Sequence, residues 1–210
     1  IDTVMVGGLG EVSVASIGIA NQYFFLYNMA LSGIIGGAGL FIAQFYGKND
    51  KDNIRKITAL SVISSLVLGI LFLLIAVFSP KFIINFFSHD EKVIKVAIDY
   101  FSIIGFCYPI IAISNVFSMG SRSIRNPRLG MVCSTISLTI NIILNYIFIF
   151  GKLGMPALGA SGAALATVIS RIIELILLIS YVYFIKNDYE LRFTFKDIRL
   201  INTDLVKIYA

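Results

Sequence analysis

Charged residues fall in clusters along this chain, and the stretches between them carry none: from Glu11 to Lys48, Lys56 to Lys81, Asp99 to Arg122 and Arg128 to Lys152. Each stretch exceeds the roughly 20 residues that an α-helix needs to cross the hydrocarbon of a bilayer. A fifth apolar run, Leu153 to Ile185, is interrupted only by Arg171 and Glu174. None alternates apolar and polar residues as barrel strands must, so helices are expected. The pattern predicts an all-α polytopic membrane protein with the outer end of a first helix at about residues 1–10. Full helices follow near 15–46, 57–79, 97–120, 129–150 and 159–185. The chain opens on Ile1 inside an apolar stretch too short to cross, so its first helix is expected to be cut, and no signal peptide is legible. The run that begins after Glu11 is too long for one perpendicular crossing and predicts either a tilted helix or one whose first residues lie at the interface. Pro80 to Tyr100 mixes aromatic and charged residues and is expected at the outer surface, where His89 is a solvated loop residue. Lys186 to Ala210 has no crossing-length run and is expected to be a cytoplasmic linker toward a second, missing lobe.

Composition agrees: 58% of residues are hydrophobic and 14% charged, against about half and a quarter in soluble domains. The net charge of +5 could suggest nucleic acid, so the placement of the bases decides. Twelve Lys and Arg fall on one side of the expected spans: Lys48, Lys51, Arg55, Lys56, Arg122, Arg125, Arg128, Lys186, Arg192, Lys196, Arg199 and Lys207. Four, Lys81, Lys92, Lys95 and Lys152, fall on the other. That asymmetry is the positive-inside pattern, and contact with anionic headgroups accounts for the charge without nucleic acid. Membrane lipid is therefore an expected partner.

Small residues mark close helix approaches. Gly33 and Gly37 form a GxxxG pair, and GASGAALAT repeats small residues at four-residue spacing, a pattern that lets backbones touch. Pro109, inside CYPIIA, is expected to kink the fourth span. Cys107 and Cys133 lack metal-type spacing and are expected to pack as small apolar residues.

Enzyme chemistry is not expected. The sequence holds no HExxH, no GxSxG, no phosphate loop and no second histidine, so neither a catalytic site nor a cofactor is expected. What remains is a set of polar groups inside apolar helices, which are functional candidates because burying them in lipid is costly. Asp2 lies in the first apolar segment. Asn141 and Asn145 are four apart and share a helix face, serving either interhelical hydrogen bonding or a site. Arg171 and Glu174 are three apart, a possible intramembrane pair fixing helix rotation, with Thr167 and Ser170 nearby.

Four segments, DTVMVGGLG, AQFYGKNDKDNIRK, YFSIIGFCYP and above all NIILNYIFIFGKLGMPALGASGAALATVISR, resemble the multidrug and toxin extrusion family. The resemblance implies that residues 1–185 form the N-terminal six-helix lobe of a two-lobe, twelve-helix transporter in a bacterial plasma membrane. It also implies a proton- or sodium-coupling site at Asp2, Asn141, Asn145 and Thr167, with no other metal. The family often has an acid where Asn145 stands, which leaves Asp2 as the main switch. The implied function is antiport, exporting small organic, often cationic or amphipathic, compounds by alternating access. A lipid-linked saccharide flippase of related architecture is the competing reading. It is favoured by a strongly cationic cavity, whereas here Arg171 has Glu174 to neutralise it. A non-transporting scaffold leaves the costly Asp2 without purpose.

Overall fold

The computed structural model describes residues 5–186 and 189–199. After a 3₁₀ turn at Gly7–Leu9, eight α-helices follow: α1 (Glu11–Gly47), α2 (Lys51–Phe78), α3 (Pro80–Phe87), α4 (Glu91–Ile104), α5 (Cys107–Ser123), α6 (Pro127–Phe150), α7 (Gly159–Ser180) and α8 (Phe195–Arg199). A π-helical turn, Tyr181–Ile185, continues α7. No strand occurs among the described residues. Among the described residues, four helices are long and apolar enough to cross a membrane: α1, α2, α6 and α7 with its π turn. The pair α4 and α5, bent by 46°, makes a fifth. The first span expected from sequence falls partly on residues 1–4, outside the described residues.

Two helices begin in charged turns rather than at the first apolar residue. Asp50 accepts the Asn53 N–H (3.1 Å) and its amide (2.6 Å), which starts α2 at Lys51 instead of 57. Asp90 accepts the Lys92 N–H (2.9 Å) and starts α4 at Glu91, inside the segment expected as surface loop. Both acids satisfy N–H groups that the first turn of a helix leaves without intrahelical partners. In α1 the 37 residues form one helix, about 55 Å long at 1.5 Å per residue.

The expected kink at Pro109 is displaced. The break lies at Gly105–Phe106, and Pro109 is the third residue of α5, where a missing N–H costs nothing because first-turn donors have no partner in any case. The Gly105 carbonyl, which a residue 109 with an N–H would bind, instead accepts from Tyr108 (3.2 Å). A side chain at Gly105 would stand 3.1 Å from both the Phe101 carbonyl and the Val77 side chain. The close approach of this junction to α2 thus leaves a side chain at 105 only tight contacts.

The chain divides into two compact units drawing on the same long helices. The first comprises Ile1–Asn28, Ile70–Tyr108 and Ile136–Ile173, and the second Met29–Gly69, Pro109–Thr135 and Glu174–Ala210. Unit one centres on an aromatic cluster of Tyr23, Tyr27, Phe72, Phe101 and Tyr108. Within it Tyr27 and Tyr108 meet edge to face at 4.9 Å, and Tyr23 meets Phe101 and Tyr108 in the same way. Buried phenols need acceptors. The Tyr27 hydroxyl donates to the Tyr108 carbonyl (2.6 Å), and the Tyr23 hydroxyl to that of Phe72 (3.0 Å).

Unit two is built on Ala38, Ile42, Ile54, Ile57, Phe117, Cys133, Leu178 and Val182, joined by Tyr189 and Leu191. The last two belong to the expected linker, whose described part, 189–199, is folded into this unit. The Tyr189 hydroxyl donates to Ser121 Oγ (3.2 Å) and accepts from Asn126 Nδ2 (3.1 Å). Burial pushes the Tyr189 phenol above its ordinary pKa. At Gly120 a side chain would come within 3.0 Å of Leu191.

The returning segment ends in α8, where Asp197 accepts the Thr194 N–H (2.7 Å) and hydroxyl (2.8 Å), the backward reach of a capping box. Burial raises the Asp197 pKa, but the Thr194 bonds and the charges of Arg55 and Lys56 outweigh it, and the carboxyl lies below its ordinary value. A depressed carboxylate contributes stability above the unfolded pKa, about 3.9, and loses it as pH falls through the lower folded value. Asp197→Asn is expected to reduce amide protection over 194–199 by about 1 kcal/mol at neutral pH. In hydrogen exchange the difference from wild type should close in acid below that range; a difference that persists there would place the effect elsewhere.

Candidate functional site

Three of the four residues expected to form the coupling site meet inside unit one. Asn145 Nδ2 donates to Asn141 Oδ1 (3.1 Å), Asn141 Nδ2 donates to Thr167 Oγ1 (3.2 Å), and the Thr167 hydroxyl donates to the Ala163 carbonyl (3.0 Å). The helix period explains the assembly. Residues 141 and 145 stack on one face of α6, and 163 and 167 on one face of α7. Asn145 is 0% exposed. Asp2, the expected carboxylate, lies outside the described residues.

The helices are held at this distance by backbone approach. A side chain at Gly162 would stand 2.6 Å from the Phe148 carbonyl oxygen and 2.7 Å from its carbon. This is the close contact that the small-residue run in α7 led us to expect. Gly33 and Gly37 differ, because a side chain at either would meet nothing within 4 Å; their GxxxG pair makes no such approach among the described residues.

One turn along the same faces, the Ser137 hydroxyl donates to the Ser170 carbonyl (2.9 Å), and the Ser170 hydroxyl donates to the Ala166 carbonyl (2.7 Å). Sequence reasoning left Ser137 unmarked. Its signal was the spacing Ser137, Asn141, Asn145, a polar stripe at every fourth residue of an apolar helix.

In unit two, Glu174 is buried and its Oε1 accepts from the Ser134 hydroxyl at 2.6 Å. That short bond gives a carboxyl group inside the membrane span a donor from the neighbouring helix, a role the sequence did not assign to Ser134. Arg171 lies one turn earlier on α7.

Chemically, the cluster of Asn141, Asn145 and Thr167 offers amide and hydroxyl oxygens and amide N–H groups without a charge of its own. Such groups complete the coordination of a hard cation, or donate to a carboxylate, when an acid supplies the charge.

An all-α membrane protein with a buried polar cluster between two of its spanning helices is the class that these observations define. The chain belongs to the MatE family, whose model matches residues 1–147. A probable multidrug resistance protein NorM of Neisseria meningitidis is 30% identical over 169 residues, 80% of this chain and 36% of the relative. Its namesake in Thermotoga maritima is 28% identical over 191 residues, 91% of this chain and 41% of the relative. Among solved structures, an inward-facing multidrug resistance MATE family transporter of the MOP superfamily superposes with a TM-score of 0.86. It is 26% identical and covers 99% of this chain and 46% of that one. A MATE transporter in the bent conformation gives a TM-score of 0.88 at 24% identity, over 98% and 45% of the two chains, a likeness of fold. The chain thus spans less than half the length of each of these relatives.

Proposed function

We propose that this chain is the N-terminal lobe of a cation-coupled antiporter that exports small organic compounds, cationic or amphipathic in the main, by alternating access. The second lobe is the partner that completes it, and residues 186–210 lead toward that lobe. The observation that carries the reading is the hydrogen-bonded series Asn145, Asn141, Thr167 between two spanning helices, its two asparagines buried. A series of this kind supplies ligands but no charge, and Asp2 is assigned the charge. Proton or sodium entering at Asp2 stabilises one conformation of the lobe over another, and an ion that binds the two states unequally is all the coupling requires. Membership of the MatE family and the names of its multidrug resistance relatives support export over other transport.

The test uses the full-length protein in vesicles, with efflux of a fluorescent organic cation driven in turn by an imposed proton and an imposed sodium gradient. Dye efflux under either gradient is the expected result. Translocation of a lipid-linked saccharide with no gradient-driven dye efflux would make it a flippase instead.

The bundle is oriented with the positions around Lys51, Arg125 and Lys196 in the cytoplasm and those around Lys92 and Lys152 outside, on the positive-inside distribution of the bases. Single cysteines at these positions, in a background without Cys107 and Cys133, are expected to react with an impermeant reagent only from the assigned side. Labelling of position 125 from outside would sink the topology.

A further inference from the structure

Unit two contains a groove unrelated to the polar cluster, a cavity of about 430 Å³, within the range of about 300–1,000 Å³ typical of small-molecule sites. Its walls are apolar: Val62 of α2, Ile113 and Phe117 of α5, Ile179 of α7 and Phe193 of the returning segment. Arg192 is the one charged residue among those that line it. The structure fixes this arrangement through several contacts. The Tyr183 hydroxyl donates to the Phe193 carbonyl (3.0 Å), Phe193 stacks on Phe117 at 6.3 Å, and the Arg192 guanidinium lies 5.8 Å from the Tyr183 ring centre. The π turn, closed by the Lys186 N–H on the Tyr181 carbonyl (3.2 Å), brings Tyr183 and Phe184 to the groove. Phe184 forms its lip and is 80% exposed, beside the equally apolar and exposed Ile185. These two exposed apolar side chains end the span Gly159–Ile185, a position suited to entry of an acyl chain from the bilayer.

We infer that this groove binds an anionic phospholipid, with one acyl chain against Val62, Ile113 and Phe117 and the phosphate at Arg192. Charge complementarity selects the headgroup. On the segment 186–199 the four bases Lys186, Arg192, Lys196 and Arg199 stand against the three acids Asp188, Glu190 and Asp197, and Arg55 and Lys56 add positive charge beside Asp197. The Asp197 carboxylate accepts from Thr194, and Arg192 is exposed at the groove beside the Tyr183 ring. Basic pockets between spanning helices at the level of the headgroups recognise anionic lipids in this way.

These 210 residues contain no tryptophan, so Phe184→Trp, in a full-length background with any tryptophan outside them replaced by phenylalanine, is a lone reporter at the lip. In vesicles, quenching of its emission by brominated phosphatidylglycerol is compared with quenching by brominated phosphatidylcholine, using the full-length protein. The expected preference for phosphatidylglycerol is about fivefold, the effect of one well-placed base at a membrane surface. Adding Arg192→Gln should bring it close to one, Arg192→Lys should preserve it, and Lys196→Gln, an exposed base off the groove, should leave it unchanged. Val62→Phe, which fills the groove, should remove the preference with Arg192 still present. Arg192 and Lys196 are both exposed, so neither exchange threatens folding. Equal quenching by the two lipids in the reporter protein would overturn the proposal. So would a loss as large from Lys196→Gln as from Arg192→Gln, which would make the attraction diffuse, or relief of quenching by an efflux substrate without lipid preference, which would make the groove a drug pocket.

Discussion

Asp2→Asn in the full-length protein is expected to reduce ion-coupled efflux to the level of protein-free vesicles, with expression and folding intact. The side chains are nearly isosteric, and the amide mimics a permanently neutral carboxyl group, so the lobe is fixed in the state that protonation would select. The neighbours assigned to Asp2 favour opposing states. Under that assignment an apolar bundle would penalise its charge, while amide donors from Asn141 and Asn145 would favour it. A carboxyl balanced between these effects changes state in response to protons or sodium. Asn145→Asp is the complementary experiment. It places a second carboxylate at a position that is 0% exposed and hydrogen-bonded to Asn141, and should strengthen sodium dependence, because two carboxylates hold a hard cation better than one. Efflux measured across separate pH and sodium gradients reads both variants. Normal coupled efflux by Asp2→Asn would end the assignment; Asn145→Asp that only destabilises the protein would leave the asparagines with a packing role.

The second large effect concerns the distance between α6 and α7. Gly162→Leu is expected to destabilise the protein by several kcal/mol and to abolish efflux even in the molecules that fold. A side chain there runs into the backbone of Phe148 at 2.6 Å, and backbone cannot rotate aside as a flexible side chain can. Overpacking of this kind costs about 1–3 kcal/mol per modest enlargement, so Gly162→Ala should already lower the melting temperature. Separating the helices by a few tenths of an ångström also lengthens the 3.2 Å bond between Asn141 and Thr167 toward the limit of a hydrogen bond. Gly33→Ala is the matched control, because it gains about 1 kcal/mol of helix propensity and meets nothing within 4 Å. Thermal unfolding in detergent compares the three, and equal melting temperatures would show that the close approach carries no energy.

The spans were legible because lipid leaves little choice: a long uncharged run must be a helix. Helix ends were less legible, since Asp50 and Asp90 draw charged turns into α2 and α4, and a search for apolar residues stops short of them. Pro109 pointed to the right span and the wrong residue. Its ring is harmless in a first turn, and the chain bends where Gly105 lets two helices approach. The contact among Asn141, Asn145 and Thr167 follows from four-residue spacing on two helices joined by a short connection. Which face each helix turns inward is settled by packing, which a single sequence does not display. Ser134 and Ser137 were not legible for that reason, nor was the packing of Tyr189 and Leu191 into the core of unit two, since two apolar residues among charges give no periodicity to read.

The series from Asn145 to Ala163 has a direction. Every donor in it points the same way, from Asn145 through Asn141 and Thr167 to a carbonyl. Each of these groups carries both a donor and an acceptor, so turning over the two amides and rotating the hydroxyl reverses the series without moving a helix. In the first orientation the Asn145 amide turns its oxygen away from Asn141, and in the second its N–H groups. The three side chains are thus a neutral switch of polarity. Under the coupling proposed above, one setting would turn an amide oxygen toward a cation and the other an N–H toward a carboxylate, so the same residues would serve sodium or protons.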